Sequence, residues 1–252
     1  MAEINYSELL KSCRIDSKTE FKDDNIYLSH QNNIIGTSGN FVTFTGLPGA
    51  SKSTFIAGVI ASGIARTEIF GFNALTYPHL KKTRIALFDT EQTGHDYKRK
   101  ERLIKTLSGV QNIYKNLDVY TVIEHSASNI LGMINEYLTK TPQCAILIID
   151  GILDCIESMN DEQQAKRLIK IIRKWAKKHD VLIITVLHLG KKDLTAIGHI
   201  GSASTRYCQS ELEVSKTNNN TYKLTPKKLR SSGHFEPIEI MYSDIEKTFI
   251  KL

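Results

Sequence analysis

From Asn40 onward, apolar residues fall into two alternating patterns. Five short runs are apolar almost throughout: Phe41–Thr45, Arg84–Asp89, Leu117–Val122, Ala145–Asp150 and Val181–His188. Runs such as AILIID and VLIITVLH have no polar face, as expected of strands buried on both sides of a parallel sheet. Between them, apolar residues recur every three to four positions and predict helices at Ser53–Arg66, Tyr97–Ser108, Ser128–Thr139 and Glu162–Lys178. In the last of these, Ala165, Leu168, Ile172 and Trp175 share one face, with lysines and arginines opposite. Alternation of this kind predicts a doubly wound α/β fold.

The pattern changes after Ser210. Glu211–Lys216, Tyr222–Pro226, Phe235–Met241 and Thr248–Lys251 are short β-rich runs separated by Asn, Gly and Ser turns, among them Asn218–Asn220. An antiparallel extension of the sheet is expected. At the other end, residues 1–36 are polar and weakly periodic, with one short helix expected at Ser7–Cys13. They read as an N-terminal arm or linker, which leaves 37–252 as one α/β domain, a size that a chain of 252 residues accommodates.

Composition narrows the class. At 41% hydrophobic and 24% charged, with mean hydropathy −0.23, the chain has the make-up of a soluble globular protein. The chain has no run of 18 apolar residues, so no transmembrane helix is expected. MAEINYSELLKSCRID lacks the basic and apolar regions of a secretory signal, so a cytoplasmic location is expected. Cys13, Cys144, Cys155 and Cys208 are scattered without C-x-x-C spacing, and the eight histidines form no H-x-x-x-H pair. No Cys/His metal site is expected, and two of the cysteines, in or near apolar strands, read as small core residues. A net charge of +6 favours a polyanionic partner such as nucleic acid. Because the basic residues spread along the whole chain, a merely solvated basic surface is the alternative.

The chemistry begins where FVTFT runs into GLPGASKST and then into the helical pattern STFIAGVIASGIA. A strand end that delivers a tight glycine-containing loop to a helix N-terminus aims backbone N–H groups at an anion. Gly46, Pro48, Gly49, Ala50, Ser51, Lys52, Ser53 and Thr54 are the phosphate-cradling candidates for ATP. Lys52 is placed to meet the β- and γ-phosphates, and the Ser53 hydroxyl to bind Mg²⁺. The pattern G-x-x-x-x-G-K-[ST] is met at Gly46, Lys52 and Ser53, but Ser51 stands where a second glycine is usual. If that position is left-handed, a serine costs about 1 kcal/mol there. The alternative is an ordinary Gly/Ser/Pro turn that contains a lysine.

Such a loop needs carboxylates from neighbouring strand ends. AILIID ends in Asp150, the candidate to hold Mg²⁺ together with Ser53. RIALFDTEQ ends another strand with Asp89 and Glu91. Glu91 is the candidate to orient or deprotonate the attacking water, with Asp89 behind it. The competing reading makes this a helix start capped by Thr90 or Thr93. VLIITVLH ends in His188, either a γ-phosphate sensor or a plain strand-end histidine.

The ordered set GLPGASKST, FDTEQ, LIIDG and TVLH resembles the RecA-like P-loop ATPases, which include hexameric replicative helicases and recombinases. FDTEQ, IIDGILD, IITVLH and GHIGS are similar to small RepA-like helicase-type ATPases of bacterial mobile elements and phages, over roughly residues 38–240. The resemblance implies a homo-oligomer, a hexameric ring or filament, acting on DNA with replication or mobilisation proteins as further partners. It also implies a Lys-x-Arg that reaches a neighbouring subunit's γ-phosphate, matched here by Lys228 and Arg230 in LTPKKLRSSG. The bland reading of those two is a basic turn that guards an edge. DNA-contacting loops in that class follow the Asp150 and His188 strands. The second, GKKDLTAIGHIGSAS, carries Lys191 and Lys192, while the first, DCIESMNDEQQ, is acidic and ill suited to a phosphate backbone.

Two rival functions stand beside an ATP-driven motor on DNA. One is an ATP-switched binding module without unwinding activity. The other is a small-molecule kinase, for which only Thr67–Lys82 offers room for a lid.

Overall fold

The structure, a computed structural model, describes residues 5–17, 19–20, 23–159, 161–190, 198–217 and 220–252. In chain order the elements are α1 (Tyr6–Cys13), β1 (Ile26–His30), β2 (Asn33–Thr37), β3 (Phe41–Gly46), α2 (Lys52–Ala65), β4 (Asn73–Ala74), β5 (Arg84–Asp89), α3 (Gly94–Ser108), β6 (Leu117–Thr121) and α4 (Ala127–Lys140). There follow β7 (Cys144–Asp150), α5 (Glu162–His179), β8 (Leu182–His188), α6 (Gly198–Tyr207), β9 (Ser210–Lys216), β10 (Thr221–Leu229), β11 (Ile238–Ser243) and β12 (Thr248–Lys251).

Among the described residues, nine strands form the central sheet in the order β12-β11-β10-β9-β3-β8-β7-β5-β6. From β9 to β6 all neighbours are parallel, and β10, β11 and β12 continue the sheet antiparallel. Alternate residues of the apolar strands feed two cores, as the two-residue period of a strand requires. Ile146 and Ile148 of β7 pack on the side of α2 and α3, with Phe55, Ile60 and Ile104. Leu147 and Ile149 pack on the side of α4, α5 and α6, with Ile134, Ile172 and Ile200. The mainly parallel sheet flanked by helices is the architecture that the alternation predicts. Among the described residues, no helix is long and apolar enough to cross a membrane.

The structure departs from the sequence reading at three places. First, the boundary expected at residue 36 falls inside β2. The β1–β2 hairpin adds β4 to make a small sheet, and its Tyr27, Leu28 and Ile35 are buried in the core beside α2. Before it, the described side chains of helix α1 are exposed. Second, β9 runs parallel to β3, so the antiparallel part of the sheet starts one strand later than expected. Third, Gly198–Ser204, read as part of a DNA-contacting loop, lies in helix α6. Lys191 and Lys192 of the same loop lie outside the described residues.

Candidate nucleotide site

Parallel register brings the candidate residues to one edge of the sheet. Gly46 at the end of β3 pairs with His188 at the end of β8. Asp150 at the end of β7 pairs with Val186 on one side and Asp89 on the other. The carboxyl ends of four adjacent parallel strands therefore face the loop that leaves β3, where ligands of open α/β sheets bind.

The loop's backbone is shaped for an anion. A Cβ on Gly46 would lie 2.4 Å from the Val214 carbonyl oxygen, so only glycine permits this approach of β3 to β9. Gly49 has φ +76° and Ser51 has φ +66°, both left-handed. Ser51 is the N-cap of α2, yet its side chain makes no capping hydrogen bond. Ala50 N–H closes a turn onto Leu47 O, whereas no protein acceptor takes the N–H of Gly49, Ser51, Lys52 or Ser53 among the described residues. Four free amides at a helix start suit phosphate oxygens. Pro48 and Thr54 complete the loop and the first turn of the helix.

Lys52 is buried, at 6% exposure. Its ammonium donates to Gly46 O at 2.9 Å and Leu47 O at 3.0 Å, and lies 3.0 Å from His188 Nδ1. An ammonium can only donate, so Nδ1 accepts and the ring proton sits on Nε2. That Nε2 then donates to Glu91 Oε1, 2.8 Å away. Lys52, His188 and Glu91 thus form one hydrogen-bonded line across three strand ends. Burial lowers the Lys52 pKa, against the pull of Glu91 and Asp150. The His188 hydrogen bond holds Glu91 below an ordinary glutamate, against the effect of burial.

A second line lies deeper, and it contains a residue the sequence reading missed. Lys100 of α3 places Nζ 2.7 Å from Asp89 Oδ2 and 2.7 Å from Asp150 Oδ2. Burial works against the Lys100 charge, but Asp150 and Asp89 outweigh it and raise its pKa. Burial also raises the pKa of the Asp150 carboxyl, in spite of Lys100. Asp89 is fully buried, and its other oxygen accepts from the N–H of Glu91 and of Gln92. It therefore shapes the turn that presents Glu91. Thr93 caps α3, with Oγ1 accepting from Asp96 N–H, as the capping reading of this segment expects. The signal for Lys100 was its phase: Tyr97, Lys100 and Ile104 are the buried residues of α3, three and four apart on one helical face.

Ser53 offers a hydroxyl and Asp150 a carboxylate, oxygen donors of the kind that suit Mg²⁺. No group of three or more His, Cys, Asp or Glu that could hold a metal by itself occurs among the described residues. Such a site fits an ion that arrives with nucleotide phosphates supplying much of its coordination. A cavity of about 620 Å³ opens beside Ser53 and Thr54, lined also by Gln92, Arg99, Tyr242 and Phe249.

Lys228 and Arg230 do not join this edge. Lys228 Nζ donates to Thr205 O and Arg230 to Arg206 O, at the C-terminal end of α6. Leu229 pairs with Ser210, and Ser210 with Val42 near the start of β3. Four residues of strand, about 13 Å, separate that level from Gly46.

A family model described as an AAA domain matches residues 15–193, more than two thirds of the chain. A search of curated proteins finds no match.

Proposed function

Because the chain belongs to the AAA domain family of P-loop ATPases, we propose that it is a magnesium-dependent ATP hydrolase. On this reading it works as an oligomeric motor on DNA, of the RepA-like helicase type, in the replication or transfer of a mobile element. The observation that carries the hydrolytic part is the unbroken line from Lys52 through His188 to Glu91. It ties the cation that would meet the terminal phosphate to the carboxylate that would handle the attacking water.

The amides of residues 49 and 51–53 bind the phosphate oxygens, and Lys52 turns from the Gly46 and Leu47 carbonyls toward them. All three ammonium protons are engaged in the resting loop, so this turn withdraws the donor from His188 Nδ1. His188 is then free to rotate and release Glu91, which couples arrival of the terminal phosphate to activation of the carboxylate. Glu91 orients a water and takes its proton as the water oxygen attacks the terminal phosphorus. The bond to the bridging oxygen breaks and ADP leaves. Ser53 and Asp150 would hold Mg²⁺, which supplies charge neutralisation on the phosphates. The cavity beside Ser53 and Thr54 would receive the nucleoside end.

Arg230, with Lys228, is assigned to a neighbour's site. Supporting this is their level near the start of β3, from which neither reaches the loop of its own subunit. A cation supplied in trans would stabilise charge on the transferred phosphoryl group and make turnover depend on assembly.

Phosphate-release assays over a dilution series test both parts. Lys52→Ala should abolish turnover. Arg230→Ala should lose most turnover while keeping nucleotide binding, and mixing it with Glu91→Gln subunits should restore some activity. Full turnover by a dilute, monomeric wild-type preparation would refute the trans assignment, and no turnover at any concentration would refute the hydrolase.

A second reading, an ATP-switched binding module, draws on Thr90. Its Oγ1 lies 2.6 Å from Asp154 Oδ2, which ties the Glu91 turn to the acidic segment after Asp150. Strand displacement measured beside DNA-stimulated ATP hydrolysis separates the two readings.

A further inference from the structure

The chain's basic residues are spread out, but its net positive charge equals that of one helix. α5 holds seven cations, Lys166, Arg167, Lys170, Arg173, Lys174, Lys177 and Lys178, against the single carboxylate Glu162. Its net charge of +6 equals the net charge of the whole chain, so the remaining residues balance to zero. At 100° per residue, the seven cations occupy one arc of the helix. Ala165, Leu168, Ile169, Ile172, Trp175 and Ala176 occupy the opposite arc and are buried. All seven cations are exposed. Among the described residues, Lys166 pairs with Glu162 at 2.7 Å, and no ion pair engages the other six. An ordinary solvated helix face interleaves both signs, and this one does not.

From Lys166 to Lys178 the stripe is about 18 Å long. Its C-terminal part reaches the level of Gly39, where a Cβ would lie 4.0 Å from the Lys177 Cα. It also continues sideways: the Arg173 guanidinium lies 4.9 Å from the ring centre of Tyr207 at the end of α6, and that tyrosine is 42% exposed.

We propose that the outer face of α5 is a binding surface for the sugar–phosphate backbone of a nucleic acid. A regular row of uncompensated cations matches a regular row of phosphates and gains affinity by releasing their counterions. An anionic membrane is the poorer fit, because a surface-seeking amphipathic helix inserts its apolar face, and that of α5 is consumed by the core. The surface lies outside the two loops that the sequence resemblance implies. It deepens the proposed action on DNA but does not rest on ATP hydrolysis.

The test is fluorescence anisotropy of labelled single-stranded and duplex oligonucleotides with the full chain, over a series of salt concentrations. Lys170→Gln/Lys174→Gln/Lys177→Gln should weaken binding at least tenfold and flatten the salt slope by about 2, since each lost phosphate contact removes about 0.7 to 0.9. Thermal melting and ATP turnover in the absence of any oligonucleotide should match wild type, which shows that the fold and the catalytic edge are intact. Lys52→Ala should bind the oligonucleotides like wild type, so a failed hydrolase and a failed surface give different results. Unchanged affinity and slope in the triple variant would overturn the proposal. So would retention by phosphatidylserine vesicles with no binding of either oligonucleotide.

Discussion

Lys100 and Asp150 meet at 2.7 Å inside the molecule, with each side chain only 4% exposed. The same ammonium reaches Asp89, so one buried cation serves two buried carboxylates beside the proposed catalytic edge. The shared ammonium offsets the repulsion between the two acids. Lys100→Met removes the cation and strands both acids, and breaking a buried pair in this way costs about 3–5 kcal/mol. Urea unfolding should show that loss. Adding Asp89→Asn to Lys100→Met should recover part of it, because one of the stranded charges disappears. A cost below about 1 kcal/mol would mean that the trio contributes no more than a surface pair.

Glu91→Gln keeps a side chain that can accept from His188 Nε2 but cannot take a proton from water. Nucleotide affinity should hold while turnover falls by about 10² to 10⁴, the span of general-base losses. Equilibrium binding of a fluorescent ATP analogue and single-turnover hydrolysis separate the two effects. A Gln variant that turns over within a few fold of wild type would move the base to another residue.

Much of this arrangement is legible in the sequence because burial on both faces leaves an unmistakable trace. AILIID and VLIITVLH declare their strands, and a parallel sheet sends Asp150 and His188 to the same edge. Other features leave little trace. IYLSH and NIIGT are short and half polar, and their burial depends on β4 and α2, which lie far along the chain. GHIGSASTRY is mostly small residues and offers no apolar period from which α6 could be read. Lys100 was hidden by its type, since a lysine on a helix is read as solvent-facing unless its phase with Tyr97 and Ile104 is weighed first. The basic arc of α5 was visible, but its weight appears only when the charge of that helix is compared with that of the whole chain.

Ser51 offers a test of the loop's backbone. Its φ of +66° and ψ of +31° place a serine in left-handed conformation, without a capping bond in return. Ser51→Gly relieves a torsional cost of about 1–2 kcal/mol, offset by the larger entropy of glycine in the unfolded chain. The net expectation is a gain of up to about 1 kcal/mol, seen as a thermal midpoint higher by about 2–4 °C. Ser51→Ala keeps the Cβ and should show no such rise. A glycine variant that melts below wild type would mean that the serine makes a compensating contribution.

The hydrogen bond from His188 also predicts how acid acts on the fold. It holds the Glu91 carboxyl below the 4.5 of an ordinary glutamate. For an acid whose pKa is depressed by folding, the native state binds fewer protons than the unfolded chain near that pH. The resulting stabilisation is fully present above the unfolded value and fades as pH falls through the folded one. The stability difference between wild type and Glu91→Gln should therefore be flat from neutral pH down to about 5, then shift against wild type below 4.5. Urea midpoints of both proteins measured from pH 7 to pH 3 would show it, and a constant difference across that range would mean that Glu91 is not depressed. The same shift keeps Glu91 ionised throughout the neutral range, so loss of turnover near pH 6 would have to come from a different group.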